Sequence, residues 1–375
     1  MIKLVTTRPK EKAILAGVSK NGDSSESMAE LEALATSAGA IVVGRLAQRR
    51  AAPDAAYFIG RGKAEEIKAK ALEASANVII FDDELSGAQV ANLQELIGVR
   101  TIDRTDLILD IFVQRAKTRE AKTQVELAQL EYLLPRLAGR WSHLERQVGG
   151  IGTRGPGETQ LETDRRQVRH KIVHLKKVLS EIDHQRAVQH KKRSAVYRVS
   201  LVGYTNAGKS SLFNQLTRSK AKVEDRLFST LDSTTRALKF PYFPKVILTD
   251  TVGFIKKLPT HLVASFRSTL SEAAEADLLL HVVDFSRPDF RENIAAVQEI
   301  LTSLKANKIP TILVLNKIDR LDNPAAFEER SSFWEVAMVS AAKGTGVLAL
   351  TDKIEAFLRW NAQNQNGRPA RTIAS

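Results

Sequence analysis

The spacing of apolar residues divides the chain into three regions. In the first region, short apolar runs alternate with stretches in which apolar residues recur at helical spacing. Strands are predicted over 40–46, 77–83 and 99–103, and helices over 30–38, 63–74 and 88–97. Strands separated by helices of this length indicate βαβ units around a parallel sheet. Residues 1–114 are therefore expected to form a small N-terminal α/β domain.

The second region changes to a seven-residue repeat. Its first part is carried by Leu127, Leu130, Leu134 and Leu137. Its second part is carried by Leu161, Val168, Ile172, Leu175, Leu179 and Ile182. Such repeats are typical of two helices that pack along one apolar stripe. Because a single loop separates them, we expect an antiparallel helical hairpin over residues 115–194, with the first helix bent near its end by Pro135.

The third region returns to apolar strands with helices between them. Strands are predicted within 195–203, 246–254 and 311–319, and each one runs directly into a polar motif. This order predicts an α/β domain over residues 195–362 with a doubly wound, mostly parallel sheet. A polar tail is expected over 363–375.

Composition narrows the class of protein. The 375 residues are 43% hydrophobic and 26% charged, which is typical of a globular chain rather than a disordered one. The absence of cysteine excludes disulfide frameworks, thiolate zinc sites and cysteine nucleophiles. The longest apolar runs fall short of the roughly 18 residues that span a bilayer, and the charged N-terminus lacks the apolar stretch of a signal peptide. We therefore expect a cytoplasmic protein without a transmembrane segment.

Positive charge is concentrated in the second region. The formal net charge is +13, and residues 115–193 hold 18 basic and 9 acidic side chains and five of the seven histidines. Net charge bears on partners rather than on fold. A local basic stretch is typical of a protein that binds a polyanion, although a well-solvated helix face has the same composition.

The loop between the two hairpin helices has an unusual composition. Residues 139–160 contain six of the 20 glycines, interleaved with arginine, Trp141 and His143. Glycine lets a backbone approach a surface closely, and arginine and aromatic side chains suit phosphates and unstacked bases. A flexible linker is the alternative. The candidate RNA contacts are Arg140, Trp141, Arg146 and Arg154 in the loop, and Arg165 and Arg166 beside it.

A phosphate-binding loop follows the first strand of the third region. Residues 203–210 match G-x-x-x-x-G-K-[ST], with Gly203, Gly208, Lys209 and Ser210 at the fixed positions. Backbone N–H groups in such a loop surround phosphates, and the following helix presents its positive N-terminus to them. Lys209 is expected to reach the β- and γ-phosphates, and Ser210 to hold Mg²⁺. The other phosphate-binding candidates are Asn206, Ala207 and Ser211.

The later motifs indicate which base is bound. Asp250-x-x-Gly253 would hold the metal through water, and Asn316-Lys317-x-Asp319 ends the next motif strand. A carboxylate at Asp319 can accept both the N1–H and the 2-amino group of guanine, a pattern that adenine does not offer. Ser340 and Ala341 follow one strand later and would close over the base. The four motifs, in this order and each after a strand, predict a P-loop GTPase domain.

A switch segment, which we define as residues 227–236, lies between the first two motifs. A GTPase needs one hydroxyl here that coordinates Mg²⁺ only when the γ-phosphate is present. Thr230 is our choice, with Thr234 and Thr235 as alternatives. Lys209, Thr230 and Gly253 are the residues expected to act in hydrolysis. Many switch GTPases place a water-orienting glutamine after Asp-x-x-Gly, whereas this chain has Phe254.

Several longer stretches resemble the HflX family. They include YFIGRGKAEEI, VIIFDDELSGAQ, LAQLEYLLPRL and ERQVGGIGTRGPGETQLETDRR, and with the GTPase motifs the resemblance covers about residues 40–360. It implies a ribosome-associated GTPase that binds the large ribosomal subunit and separates stalled or idle 70S ribosomes. It further implies that the N-terminal and helical regions face ribosomal RNA, and that the ribosome stimulates hydrolysis.

Two other functions remain open at this point. One is a GTP-controlled RNA-binding switch in ribosome assembly, without splitting activity. The other is an RNA-dependent ATPase or helicase-like enzyme, against which the Asn316–Asp319 motif weighs. The leading interpretation is a splitting or rescue factor that requires Mg²⁺ and is a monomer off the ribosome.

Overall fold

The structure is a computed structural model that describes residues 11–19, 25–137, 156–191, 196–219, 227–228, 230–241, 243–257, 272–321 and 333–364. The chain divides into two compact units. One comprises Met1–Gln114 and Lys122–Val178, and the other Arg115–Ala121 and Leu179–Ser375. The division into an N-terminal domain, a hairpin and a GTPase domain stays a prediction, which we retain as a proposal.

The first unit contains a four-stranded parallel sheet in the order β2-β1-β3-β4. Its strands are β1 (Lys12–Ser19), β2 (Ile41–Arg49), β3 (Val78–Phe81) and β4 (Arg100–Asp103). The helices between and after them are α1 (Ser25–Ala38), α2 (Arg61–Glu73), α3 (Gly87–Ile97) and α4 (Arg104–Arg115). The predicted α/β alternation is confirmed, whereas β1 was not predicted.

A buried ion network lies where β3 and β4 end. Arg104 is 2% exposed and donates to Asp82 at 2.8 Å and to Glu30 at 2.5 Å. Asp103, which is fully buried, accepts from the backbone N–H groups of Leu85 and Asp106. Because buried charges require partners, these contacts fix the start of α4 at this edge of the sheet.

Two longer helices follow, α5 (Arg119–Leu133) and α6 (Pro156–Lys191). A 3₁₀ turn over Leu134–Arg136 ends α5 at the predicted proline. On α6, the heptad positions Ile172 and Leu175 are buried, whereas Val168, Leu179 and Ile182 are half-buried.

Two ion pairs join these helices, Glu126–Lys171 at 2.5 Å and Glu131–Lys176 at 2.8 Å. From the first pair to the second, both partners advance by five residues in the same direction, so these pairs do not establish an antiparallel order. The antiparallel hairpin stays a prediction.

The second unit contains a six-stranded sheet in the order β10-β9-β8-β5-β7-β6. Its strands are β5 (Tyr197–Gly203), β6 (Thr234–Phe240), β7 (Phe243–Asp250), β8 (Leu278–Asp284), β9 (Thr311–Asn316) and β10 (Glu335–Met338). Only β6 is antiparallel to its neighbour. The described helices are α7 (Lys209–Thr217), α8 (Phe290–Ser303) and α9 (Val347–Asn364).

The parallel strands bring the predicted motifs to one edge of this sheet. Gly203, Asp250 and Asn316 are the last residues of β5, β7 and β9. Because the carboxyl ends of parallel strands meet at the same edge, residues far apart in sequence converge there. The predicted α/β fold with a doubly wound, mostly parallel sheet is confirmed.

Candidate nucleotide site

A cavity of about 310 Å³ lies at this edge of the second sheet. Most of the residues predicted to bind nucleotide line it: Asn206, Gly208, Lys209, Ser210, Ser211, Thr230, Gly253, Asn316, Lys317, Asp319 and Ala341. The structure therefore brings the four separate motifs to one place. Gly203, Ala207, Asp250 and Ser340 do not line the cavity but contact or adjoin residues that do.

The turn from β5 to α7 requires glycine at two positions. Gly203 and Gly208 have φ of +148° and +92°. A Cβ on Gly203 would lie 2.1 Å from the carbonyl oxygen of Val282, and one on Gly208 would lie 2.2 Å from Asn316 Nδ2. Any side chain would push the loop away from β8 and β9, so glycine lets the loop curl at the N-terminus of α7.

Lys209 is enclosed by the phosphate loop. Its Nζ donates to the carbonyl oxygens of Gly203 at 3.1 Å and Tyr204 at 2.8 Å. Burial lowers the pKa of Lys209 to about 8, and the nearby Asp250 carboxylate opposes that shift. The ammonium group is therefore held at the place in the cavity where anionic phosphate oxygens would stabilise its charged form.

Two hydroxyls and one carboxylate meet beside Lys209. Ser210 Oγ donates to Asp250 Oδ2 at 2.6 Å and lies 2.9 Å from Thr230 Oγ1. Thr230 Oγ1 also donates to Asp250 Oδ2 at 3.3 Å. The other carboxylate oxygen, Asp250 Oδ1, is buried without a hydrogen-bond partner among the described residues. Burial raises the pKa of Asp250, while the two hydroxyls and Lys209 lower it.

This oxygen-only donor set fits Mg²⁺, a hard cation that is bound through few carboxylates. Within the described parts of the chain, no three His, Asp or Glu side chains cluster as a metal site. The alternative switch threonines lie on β6: Thr235 Oγ1 is 3.1 Å from Thr249 Oγ1, and Thr234 is the ladder partner of Asp250.

Asn316 joins the phosphate loop to the loop that contains Ala341. Its side chain is 1% exposed. Nδ2 donates to the carbonyl oxygen of Ala207 at 2.8 Å, and Oδ1 accepts from the N–H of Ala341 at 2.9 Å. The adjacent Lys317 has φ of +65° and its Nζ pairs with Asp284 at 2.7 Å. These contacts hold three loops together around the cavity.

Asp319 is oriented by Ser340. Ser340 Oγ donates to Asp319 Oδ1 at 2.5 Å and itself accepts from the N–H of Lys343 at 3.1 Å. This hydrogen bond is the main reason that the pKa of Asp319 lies below its usual value. The carboxylate is therefore ionised at neutral pH, as an acceptor for two N–H donors of a base must be.

Phe254 is placed outside the cavity. Its side chain is 2% exposed. Its N–H donates to the carbonyl oxygen of Gly203 at 3.1 Å, and its carbonyl oxygen accepts from Thr205 N–H at 2.7 Å. A Cβ on Gly253 would lie 2.8 Å from Thr205 Cα and 2.9 Å from Lys209 Nζ. The segment after Asp250 therefore pairs with the phosphate loop through its backbone.

Comparison with known families and proteins agrees with this geometry. Family models match residues 25–113 (GTP-binding GTPase N-terminal), 115–193 (GTP-binding GTPase Middle Region) and 198–317 (50S ribosome-binding GTPase). GTPase HflX of Flavobacterium psychrophilum is 53% identical over 313 residues, covering 82% of this chain and 76% of that protein. GTPase HflX of Escherichia coli K12 is 46% identical over 353 residues, covering 92% and 83%. The chain belongs to the HflX family.

This HflX chain is also similar to a solved structure. The crystal structure of SsGBP in complex with GDP aligns with a TM-score of 0.53 and 27% identity, covering 93% of this chain and 99% of that chain. Together with the family models and the HflX relatives, the converging motifs establish this chain as a GTPase that binds and hydrolyses GTP. None of the described helices is long and apolar enough to cross a membrane.

Some residues that line the cavity were not predicted from the sequence, and some residues that were predicted to bind RNA are not described by the structure. Thr205, Phe228, Thr251, Arg320 and Ala342 line the cavity without having been singled out. Each adjoins a recognised motif, so proximity in sequence was the only available signal. Arg165 and Arg166 lie on α6, half-buried and exposed respectively. Arg140, Trp141, Arg146 and Arg154 lie outside the described residues, as does most of the predicted 139–160 loop.

Proposed function

We propose that this GTPase binds the large ribosomal subunit and uses GTP to separate stalled or idle 70S ribosomes. Two observations support the proposal. The GTPase region matches a family described as 50S ribosome-binding GTPases, and the basic middle region is the part of the chain most suited to ribosomal RNA. The protein would act in the cytoplasm as a monomer off the ribosome.

The convergence of Lys209, Ser210, Thr230 and Asp250 is the single observation that carries the mechanism. Lys209 neutralises charge on the β- and γ-phosphates. Ser210 and Thr230 present hydroxyls that would hold Mg²⁺, and Asp250 would hold it through water. When bound, Mg²⁺ supplies further neutralisation of the phosphates. Asp319 binds the N1–H and 2-amino groups of guanine, and Ser340 holds the carboxylate in position.

Thr230 makes this site a switch. Its hydroxyl belongs to the segment between α7 and β6, whereas Ser210 and Asp250 belong to the phosphate loop region and to β7. A ligand that needs all three oxygen groups orders the segment, and loss of the γ-phosphate releases it. Gly253 lies close to Lys209, since a Cβ on it would come within 2.9 Å of Lys209 Nζ, so its backbone N–H would contact the same phosphate.

RNA binding is assigned to the helical region. Arg166, Arg169 and Lys177 are exposed on α6 and make no ion pair with a described residue. Charges without protein partners are free to neutralise phosphates. We assign further contacts to Arg165 on α6 and to Arg140, Trp141, Arg146 and Arg154 in the loop.

Incubation of the protein with intact 70S ribosomes and GTP, followed by sucrose-gradient sedimentation, tests the proposed function. Separated subunits are expected with GTP, and intact 70S with Lys209→Ala, which lacks the phosphate-binding ammonium group. Arg359→Ala, a charge change on α9 away from the cavity, is the matched control. Binding without separation would instead favour the RNA-binding switch in ribosome assembly.

A further inference from the structure

Asp232 connects the switch segment to the start of α5. Its Oδ2 accepts from the backbone N–H of Lys117 at 2.9 Å, and its Oδ1 accepts from Thr118 Oγ1 at 2.5 Å. These residues are separated by more than a hundred positions in sequence, yet all belong to the second compact unit. Both oxygens of one carboxylate are therefore used to join the switch segment to this short stretch.

Thr118 is also the N-cap of α5. Its Oγ1 accepts from the N–H of Ala121 at 3.1 Å while its proton is donated to Asp232. An N-cap hydroxyl satisfies a free N–H group in the first turn, and a carboxylate near that turn is stabilised by the helix dipole. The carboxylate of Asp232 is therefore held at the N-terminus of α5 by contacts on both of its oxygens.

Thr230 lies two residues before Asp232. Between them, Leu231 is 2% exposed, and on the other side Ser233 Oγ donates to Glu272 at 2.8 Å. Two residues of chain span at most about 7 Å, so movement at Asp232 is transmitted directly to Thr230. The 2.9 Å contact between Thr230 and Ser210 thus depends on where Asp232 is held.

We infer that Asp232 is a positioning residue for GTP hydrolysis, which holds Thr230 in the magnesium site by binding the first turn of α5. The inference rests on the proposed role of Thr230. Because coupling between two sites is reciprocal, the first turn of α5 is also stabilised when the γ-phosphate orders Thr230. α5 continues along the chain to Leu133 in the helical hairpin, so a partner that displaces this helix would alter the switch segment.

The magnesium requirement for nucleotide retention measures this positioning. Release of a fluorescent non-hydrolysable GTP analogue is followed at increasing Mg²⁺, and release of labelled GDP is the comparison. Asp232→Asn and Thr118→Ala should each raise the half-saturating Mg²⁺ about fivefold with the GTP analogue, the loss expected for one hydrogen bond. The GDP value should stay unchanged, because Thr230 acts only with the γ-phosphate. Asp352→Asn, an exposed aspartate on α9, is the matched control.

Two further measurements separate positioning from a general loss of structure. Thr118→Ser keeps the hydroxyl and should therefore have the parental half-saturating Mg²⁺ concentration. The Asp232→Asn/Thr118→Ala double variant should need no more Mg²⁺ than either single variant, since both substitutions remove the same contact. Amide hydrogen exchange of residues 117–121 should be slower with the GTP analogue than with GDP. In Asp232→Asn, this difference between the nucleotides should disappear.

Thr230→Ala distinguishes failure of the inference from failure of the proposed magnesium site. If Thr230→Ala raises the magnesium requirement with the GTP analogue but Asp232→Asn and Thr118→Ala do not, Asp232 has no positioning role. If Thr230→Ala itself has no effect, the assignment of Thr230 as a magnesium ligand is wrong. An equal increase with GDP in the Asp232→Asn protein would also overturn the inference, because it would indicate a general weakening of the site.

Discussion

Asp319 is the residue to which we assign base selection. Asp319→Asn replaces one carboxylate acceptor with an amide donor, which faces the 2-amino group of guanine unfavourably. We expect weaker GTP binding by about 1–3 kcal/mol, the value of a bidentate base contact, and better binding of xanthosine triphosphate, which carries an oxygen at the 2-position. Competition of both nucleotides against a labelled GTP analogue measures the change. Unaltered GTP affinity would show that Asp319 does not contact the base.

His281 is a buried titratable residue in β8 that no functional motif includes. It is fully buried, and neither ring nitrogen has a hydrogen-bond partner among the described residues. Its ring lies 6.1 Å from that of Phe333 in an edge-to-face contact. Burial, and to a smaller extent the charge of Lys209, lowers the pKa of His281 to about 3. The imidazole is therefore neutral in the folded protein at neutral and mildly acidic pH.

This burial predicts a specific dependence of stability on pH. Between pH 3 and the ordinary histidine pKa of about 6.5, the unfolded chain takes up a proton that the folded chain excludes. The free energy of unfolding should therefore fall as the pH falls below about 6.5, by about 1.4 kcal/mol per pH unit from this residue. His281→Leu should lack this contribution. Urea unfolding at pH 7.5 and 5.5, followed by the fluorescence of Trp334 and Trp360 in a Trp141→Phe background, measures it.

The quantity to compare is the difference in the free energy of unfolding between the parent and His281→Leu at each pH. Carboxylates titrate in both proteins, so their contribution cancels in this difference. A gap between the two proteins that is the same at both pH values would mean that His281 takes up its proton in the folded state. Lys308→Ala, an exposed change in the same unit, should follow the parent at both pH values.

Phe254 shows how far a single residue can be interpreted from sequence. Because a phenylalanine stands directly after Asp-x-x-Gly, the sequence shows that no side chain at this position can hydrogen-bond the attacking water. The sequence did not indicate where the ring lies, because that depends on packing between segments far apart in the chain. The structure places it in the interior, while its backbone pairs with Gly203 and Thr205.

Among the elements, the strands with a strong apolar pattern in their own sequence were predicted, and a strand with a weaker pattern was not. β3 is an uninterrupted apolar run that is buried throughout, and it was predicted. β1 is buried at six of its eight positions and lies in the sheet between β2 and β3, yet it was not predicted. Its sequence KAILAGVS follows a charged N-terminal segment and contains two alanines and a glycine, which favour strands weakly. Hydrogen bonding to β2 on one side and to β3 on the other stabilises β1 instead.

The turn before α2 has the sequence FIGRGK, which superficially resembles a phosphate loop. It lacks the full glycine fingerprints of such loops, so the sequence alone favours a plain strand-to-helix turn. In the structure, Gly60 N–H donates to Gln48 Oε1 at 2.7 Å, and a Cβ on Gly60 would lie 2.9 Å from a guanidinium nitrogen of Arg50. Side chains of the neighbouring strand therefore cover the N-terminus of α2, the position that a phosphate would need.

The ion pairs between α5 and α6 lead to a prediction of which basic residues on α6 bind RNA. Lys171 and Lys176 are exposed but paired with glutamates of α5, whereas Arg166, Arg169 and Lys177 are exposed and make no ion pair with a described residue. Replacing these last three with alanine should weaken binding to large subunits and reduce the slope of log K against log salt by about 0.7–0.9 per lost phosphate contact. Subunit binding at several KCl concentrations gives the slope, and nucleotide affinity should be unchanged.

A matched variant controls for net charge. Lys68, Lys239 and Lys308 are exposed and lie apart from one another in sequence, so replacing all three removes the same charge without altering α6. This control should retain most of the parental slope. Equal slopes for the two triple variants would mean that only the total charge matters, and α6 would have no special role.

For the whole molecule, the order of the motifs was sufficient to predict that they meet at one edge of the second sheet. Each motif follows a strand, and parallel strands deliver their carboxyl ends to one edge, so convergence follows from the topology. The contact of Asp232 with Lys117 and Thr118 was not predictable in this way. It joins a switch segment to the start of a helix, and neither residue type nor spacing indicates that two such segments meet.

The last prediction concerns turnover of the whole protein with its proposed partner. Because Phe254 is buried and offers no group to the attacking water, we expect slow GTP hydrolysis by the protein alone. Large ribosomal subunits should raise the rate on the order of 10²-fold, the contribution of one well-placed polar group. Replacing residues 141–158 with a short Gly/Ser turn should keep the basal rate and nucleotide affinity but lose much of this stimulation. Phosphate release with and without purified subunits measures all three quantities, and equal rates in both conditions would show that the catalytic site is complete in the chain.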